Sequence, residues 1–243
     1  MPTRTHRLPA FPGPFLLGVI CWALAAAISS PAQAAPVACL DTSIDVLAAS
    51  EHDRQQACKA VSESEAFLTA SGLKLPAGMT IHVVGHLEGA ISEPFALADY
   101  DSRQRSIHIL DFARAQAAFS AVDSPGLRLG MSPGVWRSYI THELTHAAIH
   151  AACGRSCPEL AAHEYIAAVA QLSVLPEPER SALLAGYGQL EGFAGVDEIS
   201  EIYYAMNPCQ FMVKSYLHYR SPGHGNAFIK ALLQPSPGNN LPR

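Results

Sequence analysis

The spacing of apolar positions changes period along the chain. Between Asp53 and Ser71, Ala57, Ala60, Val61, Ser64, Phe67 and Leu68 recur on one helical face, and Gly72 follows as a stop. Thr80–Val84 (TIHVV) is β-branched and predicts a strand. Phe95–Tyr100 and Ser106–Leu110 (SIHIL) predict two more, joined by a turn at Asp101-Ser102-Arg103. His82 and His108 alternate with apolar neighbours in these strands, which turns them away from the core face. Asp111 opens a short helix to Phe119, and Ala121–Pro133, with Pro125, Gly126 and Gly130, reads as loop. Beyond it the pattern is helical almost to the end. Gly134–Ala152 has Ser132 as its N-cap and Pro133 at the first helical position. A turn at Gly154-Arg155-Ser156 leads to a helix opened by Cys157-Pro158 and stopped near Leu175 by Pro176 and Pro178. Asp197–Met206, Cys209–Tyr219 and Asn226–Leu233 complete the helices. A helix, a small N-terminal sheet and then a helical C-terminal part is an α+β order.

The first 34 residues stand apart from this pattern. Arg4, His6 and Arg7 form a basic start, Phe15–Ile28 an apolar stretch, and Ala32-Gln33-Ala34 a small-x-small cleavage site. They are expected to be a secretory signal, leaving residues 35–243 as a single domain, since neither an internal repeat nor a low-complexity linker is present. The expected location is therefore exported, either periplasmic or secreted, with no stable membrane span after cleavage. The mature chain would carry 14 Lys+Arg against 21 Asp+Glu, a formal charge of −7, which excludes the basic footprint of a nucleic-acid binder.

Export makes disulfides the expected use of the cysteines. Cys153 and Cys157 are close enough to bridge across the turn, and Cys39 and Cys58 are the natural second pair, which leaves Cys209 over. A cysteine zinc site is the rival use, but no CxxC pair is present.

The chemistry lies in His142-Glu143-Leu144-Thr145-His146, an H-E-x-x-H match. At the residue frequencies of this chain, chance yields roughly 0.03 such matches. On a helix, positions i and i+4 share a face, so His142 and His146 can bind one Zn2+. Glu143 then reaches a water whose pKa the metal lowers, as a general base must. Catalytic zinc takes three protein ligands, and His150, Glu159, His163 and Glu164 are the candidates for the third. His150 lies two turns from His142, about 12 Å along the axis, too far to share its ion. Counting up one helix and down the next brings both His163 and Glu164 to the right height, about 100° apart in azimuth.

His142–His146 followed by Glu164-Tyr165-Ile166-Ala167 resembles the gluzincin class of zinc metallopeptidases, over roughly residues 80–175. These pair H-E-x-x-H with a Glu on the next helix, often in an Asn-Glu-x-x-Ala context. Glu164 and Ala167 match, and His163 stands where Asn is frequent. The resemblance implies that Glu164 is the third ligand, His163 a neighbour, and a peptide or protein the substrate. It also implies an edge strand beside the cleft, for which Phe95–Tyr100 and Ser106–Leu110 are the candidates. No Asp follows Glu164 by one turn, so the group that orients a zinc imidazole is not identified. The H-E-x-x-H-x-x-G-x-x-H pattern of metzincins is absent.

An oxyanion wants a further donor, and Tyr203, Tyr204 and His224 are the first candidates, with Tyr216 and His218 behind them. Trp136, one turn before the motif, reads as core. The function expected from these residues is an exported zinc-dependent hydrolase, a peptidase with Glu143 as general base. The alternative is a non-catalytic periplasmic zinc- or partner-binding protein on the same scaffold, against which Glu143 counts because metal binding alone does not require it.

Overall fold

The computed structural model describes residues 36–40, 42–87, 97–121, 129–154 and 157–234. The expected signal segment, Phe95, Pro125, Gly126 and the Arg155-Ser156 turn lie outside them. The element order is β1 (Val37–Ala38), β2 (Ile44–Leu47), α1 (Glu51–Ala70), β3 (Met79–Val84), β4 (Ala98–Asp101), β5 (Ser106–Leu110), α2 (Phe112–Ala121), α3 (Pro133–Cys153), α4 (Leu160–Val174), α5 (Glu177–Tyr187), a 3-10 turn at Val196–Glu198, α6 (Glu201–Met206), α7 (Pro208–Arg220) and α8 (Gly225–Leu232). This is the expected α+β arrangement, a small sheet near the N-terminus and a mostly helical C-terminal part.

The sheet runs β1-β2-β3-β5-β4. β2, β3 and β5 are parallel, while β1 and β4 pair antiparallel with their neighbours. Ile44, Val46, Ile81, Ile107 and Ile109 are fully buried on one face, packed with Ala57, Val61, Trp136 and Ile140 of α1 and α3. The alternating residues turn the other way: His82 and His108 are in register and their rings stack at 4.9 Å. Ser106–Leu110, offered above as an edge strand, is interior; among the described residues β1 and β4 are the edges.

The sheet has two strands more than the periodicity predicts. β1 and β2 are two and four residues long, too short for alternation to stand out. The Cys39–Cys58 disulfide ties this segment to α1. Closing a loop of that length contributes about 3 kcal/mol. A second departure is α5. Pro176 and Pro178 do end α4, but Pro178 also sits in the first turn of a new helix, where its missing N–H has no partner to lose.

α3 begins as expected: the Ser132 hydroxyl accepts from the Val135 N–H at 3.1 Å, with Pro133 at the first position. It is buried on nearly every side, between the sheet with α1 and the helices that follow. Trp136 is fully buried and donates its indole N–H to the Leu110 carbonyl at 2.8 Å. Among the polar groups it buries, Thr141 pairs with Ser64 at 2.8 Å, and Arg137 with Glu63 at 2.8 Å and Gln56 at 2.7 Å. Gly134 is required by close approach, because a Cβ there would stand 2.6 Å from Cγ of Pro176. Gly134→Ala is therefore expected to destabilise the fold by about 1–3 kcal/mol, read from the midpoint of denaturant unfolding. An unchanged midpoint would mean that Pro176 moves aside at no cost.

Candidate metal centre

α3 and α4 are consecutive helices packed face to face through Ala148, Ile149, Tyr165, Ile166 and Val169. This pairing brings Glu164 of α4 onto the two imidazoles of α3. His142 Nε2 lies 3.4 Å from Glu164 Oε2 and His146 Nε2 lies 3.5 Å from Glu164 Oε1. The two rings are 4.8 Å apart, and one ligand atom from each of the three residues falls within 4.8 Å of the others. Of the four residues considered for the third position, Glu164 is the one grouped with His142 and His146. Glu159 is the exposed N-cap of α4, and His150 and His163 belong to a separate group with Cys157.

The donor set suits a metal. Two imidazole nitrogens and a carboxylate oxygen are donors of the kind that hold a divalent cation. Glu164 Oε2 is buried with no hydrogen bond of good geometry, only His142 Nε2 at 3.4 Å, a costly state for a carboxylate oxygen that a cation would relieve. His142 Nδ1 is 3.0 Å from Gln171 Oε1. An Nδ1–H donated to that amide oxygen leaves Nε2 to face Glu164 and His146. Gln171 holds the His142 ring through this contact. It stands two turns after Glu164 on α4, whereas the expected acid would stand one turn on.

Burial and mutual charge shift the titration of His142, His146 and Glu164 strongly. Burial acts to lower the His142 pKa, but the hydrogen bond and charge of Glu164 outweigh it and raise the value to about 9. Burial likewise acts to raise Glu164, and His142 overrides it, with help from His146 and a hydrogen bond from Tyr204, taking it to about 2. His146 is pushed down to about 3 by burial and by the neighbouring His142 charge. Glu143 is lifted to about 7, by burial first and also by the negative charges of Glu164 and Asp99. A carboxyl near neutrality can take a proton and return it.

Glu143 and His146 line a cavity of about 300 Å³ together with Tyr100, His150, Cys157, Pro158, Leu160 and His163. Tyr100 comes from β4, so the edge strand borders the cavity. Among the described residues β4 pairs only with β5. Of the oxyanion candidates, Tyr204 bonds Glu164. Tyr203 is engaged elsewhere: its hydroxyl donates to Gln210 at 3.2 Å and its ring packs on Phe193. His224 stacks on His218 at 3.9 Å, and its Nδ1 lies 2.9 Å from the His218 carbonyl. His218 in turn meets the Tyr165 hydroxyl at 2.7 Å, and Tyr216 is buried in the core.

Cys153 and Cys157 are bridged across the connection between α3 and α4, four positions apart with Cα atoms at 4.8 Å. Gly154 ends α3 between them at φ 56°, a conformation that favours glycine. Two disulfides fit an exported protein. No helix among the described residues is long and apolar enough to cross a membrane. Peptide mapping of non-reduced exported protein is expected to recover Cys39–Cys58 and Cys153–Cys157. A link from either of the latter to Cys209 would remove the clamp on the two helices.

No curated protein matches the chain, and no solved structure does. The profile of a family of unknown function, DUF6639, matches residues 44–237, so the chain belongs to that family.

Proposed function

We propose that this chain is an exported zinc-dependent hydrolase of gluzincin type, acting on peptides. The observation that carries this reading is the meeting of His142, His146 and Glu164 on two packed helices, with the half-buried Glu143 beside His142. When bound, zinc supplies Lewis-acid activation of a water and of the scissile carbonyl. His142, His146 and Glu164 hold it, and Gln171 keeps the His142 ring in its tautomer and orientation. Glu143 takes the proton of the attacking water and delivers it to the departing amine nitrogen. Tyr204 fixes Glu164 through their hydrogen bond. The outer edge of β4 suits an extended peptide, which adds to a sheet edge through its main chain and so lies along the cavity. A site that recognises backbone in this way favours peptide over other hydrolysable substrates.

The test is hydrolysis of casein and of a peptide library by the purified mature chain, with metal content measured in parallel. Turnover that a chelator abolishes and zinc restores is the expected result. A fully zinc-loaded chain that cleaves neither substrate would favour the non-catalytic metal-binding alternative. Tyr204→Phe removes the hydroxyl but keeps the ring. It is expected to lower zinc affinity or kcat/KM by about 10- to 100-fold. Wild-type values for both would place Tyr204 outside the site.

A further inference from the structure

A second group of ligating atoms stands on the same two helices and is not used by the centre just described. His150 lies one turn beyond His146 on α3, His163 precedes Glu164 on α4, and Cys157 lies on the connection between them. Their ring nitrogens and sulfur fall within 4.8 Å of one another. The two imidazole centroids are 5.1 Å apart, and all three residues line the cavity. His163 is only 6% exposed. His150 Nδ1 is buried with no hydrogen-bond partner, and two apolar residues would fill this corner without that penalty.

The sulfur is withheld in this state, because Cys157 is bonded to Cys153 and a disulfide sulfur has no thiolate to offer. A dithiol reductant changes that. Its thiolate attacks the disulfide, the Cys153–Cys157 bond breaks through a mixed disulfide, and the dithiol leaves as its own cyclic disulfide. Two electrons and two protons end on the Cys153 and Cys157 thiols. A metal then displaces the Cys157 proton and meets two neutral imidazoles and one thiolate, a donor set suited to zinc-class divalent cations. We propose that His150, His163 and Cys157 form a second metal site that opens only when the Cys153–Cys157 disulfide is reduced. This inference does not depend on the hydrolase reading.

The test uses the full mature chain carrying His142→Ala and His146→Ala, so that the first centre is empty, titrated with Co2+ as a spectroscopic substitute for zinc. The oxidised protein is expected to show no thiolate-to-cobalt charge-transfer band. After reduction with a dithiol and its anaerobic removal, the protein should take up about one Co2+ with that band. Adding Cys153→Ser, which keeps Cys157 as a thiol and leaves Cys39–Cys58 bridged, should give the band without any reductant. Adding His150→Ala or His163→Ala should weaken Co2+ binding more than about tenfold, the least expected for loss of a direct ligand. The proposal fails if the band is missing from both the reduced protein and the Cys153→Ser form. It fails equally if the band survives Cys157→Ser, or if removing both imidazoles leaves the affinity unchanged. The two routes to a free Cys157 keep the test decisive if one of the variants does not fold.

Discussion

Alanine at His142, His146 or Glu164 is expected to reduce bound zinc from about one per chain to nearly none after dialysis. A zinc imidazole's outer partner alone is worth about 10- to 100-fold in affinity, so loss of a direct ligand should exceed that. Glu164→Ala is the most telling of the three. It removes the one carboxylate shared by both rings, at 3.4 Å from His142 Nε2 and 3.5 Å from His146 Nε2. His163→Ala, made in the oxidised protein, is the control and should keep its zinc, because His163 is grouped with His150 and Cys157 instead. Metal analysis of the dialysed proteins reads all four variants. Full zinc in Glu164→Ala together with loss in His163→Ala would reverse the assignment of the third ligand.

Glu143→Gln is expected to retain fold and zinc while losing about 10²- to 10⁴-fold in kcat, the usual contribution of a positioned general base. The amide is nearly isosteric with the carboxyl but cannot accept the proton of the water. Glu143 is half-buried at the cavity, and desolvation is the largest of the influences that lift it to about 7. A neutral amide therefore costs less to desolvate there than a carboxylate, and a folding defect should not confound the result. Circular dichroism and zinc content establish that the variant is intact, and single-turnover hydrolysis measures the loss. Undiminished hydrolysis would falsify the role of Glu143 and leave the metal site standing.

How much of this was readable in the chain differs from element to element. α1 and α3 are long and strongly patterned, and α3 is capped by Ser132 as expected. Their boundaries lie within two residues of those expected from spacing alone. The H-E-x-x-H pair was visible for the same reason, since a helix places i and i+4 on one face whatever surrounds it. β1 and β2 were not visible. A strand of two to four residues is defined by the neighbour it pairs with, and β2 finds β3 only after α1 has folded back between them. α5 was hidden by a local rule read in one direction, since a proline that ends one helix can open the next.

The site divides along the same line. His142, Glu143 and His146 are local, set by helical geometry and by composition at five adjacent positions. The choice between His163 and Glu164 was not local. Both stand at the height of the motif, about 100° apart around their helix, and only the packing of α4 against α3 turns Glu164 toward His142 and His146. The same packing sends His163 toward His150, brings Gln171 to His142 and lets Tyr204 of α6 reach Glu164. Sequence by itself determined which residue types could do metal chemistry and that two of them share a helical face. Which atoms converge was decided by the tertiary structure, because the azimuth of one helix against another is set by side chains far apart in the chain, and no local spacing encodes it.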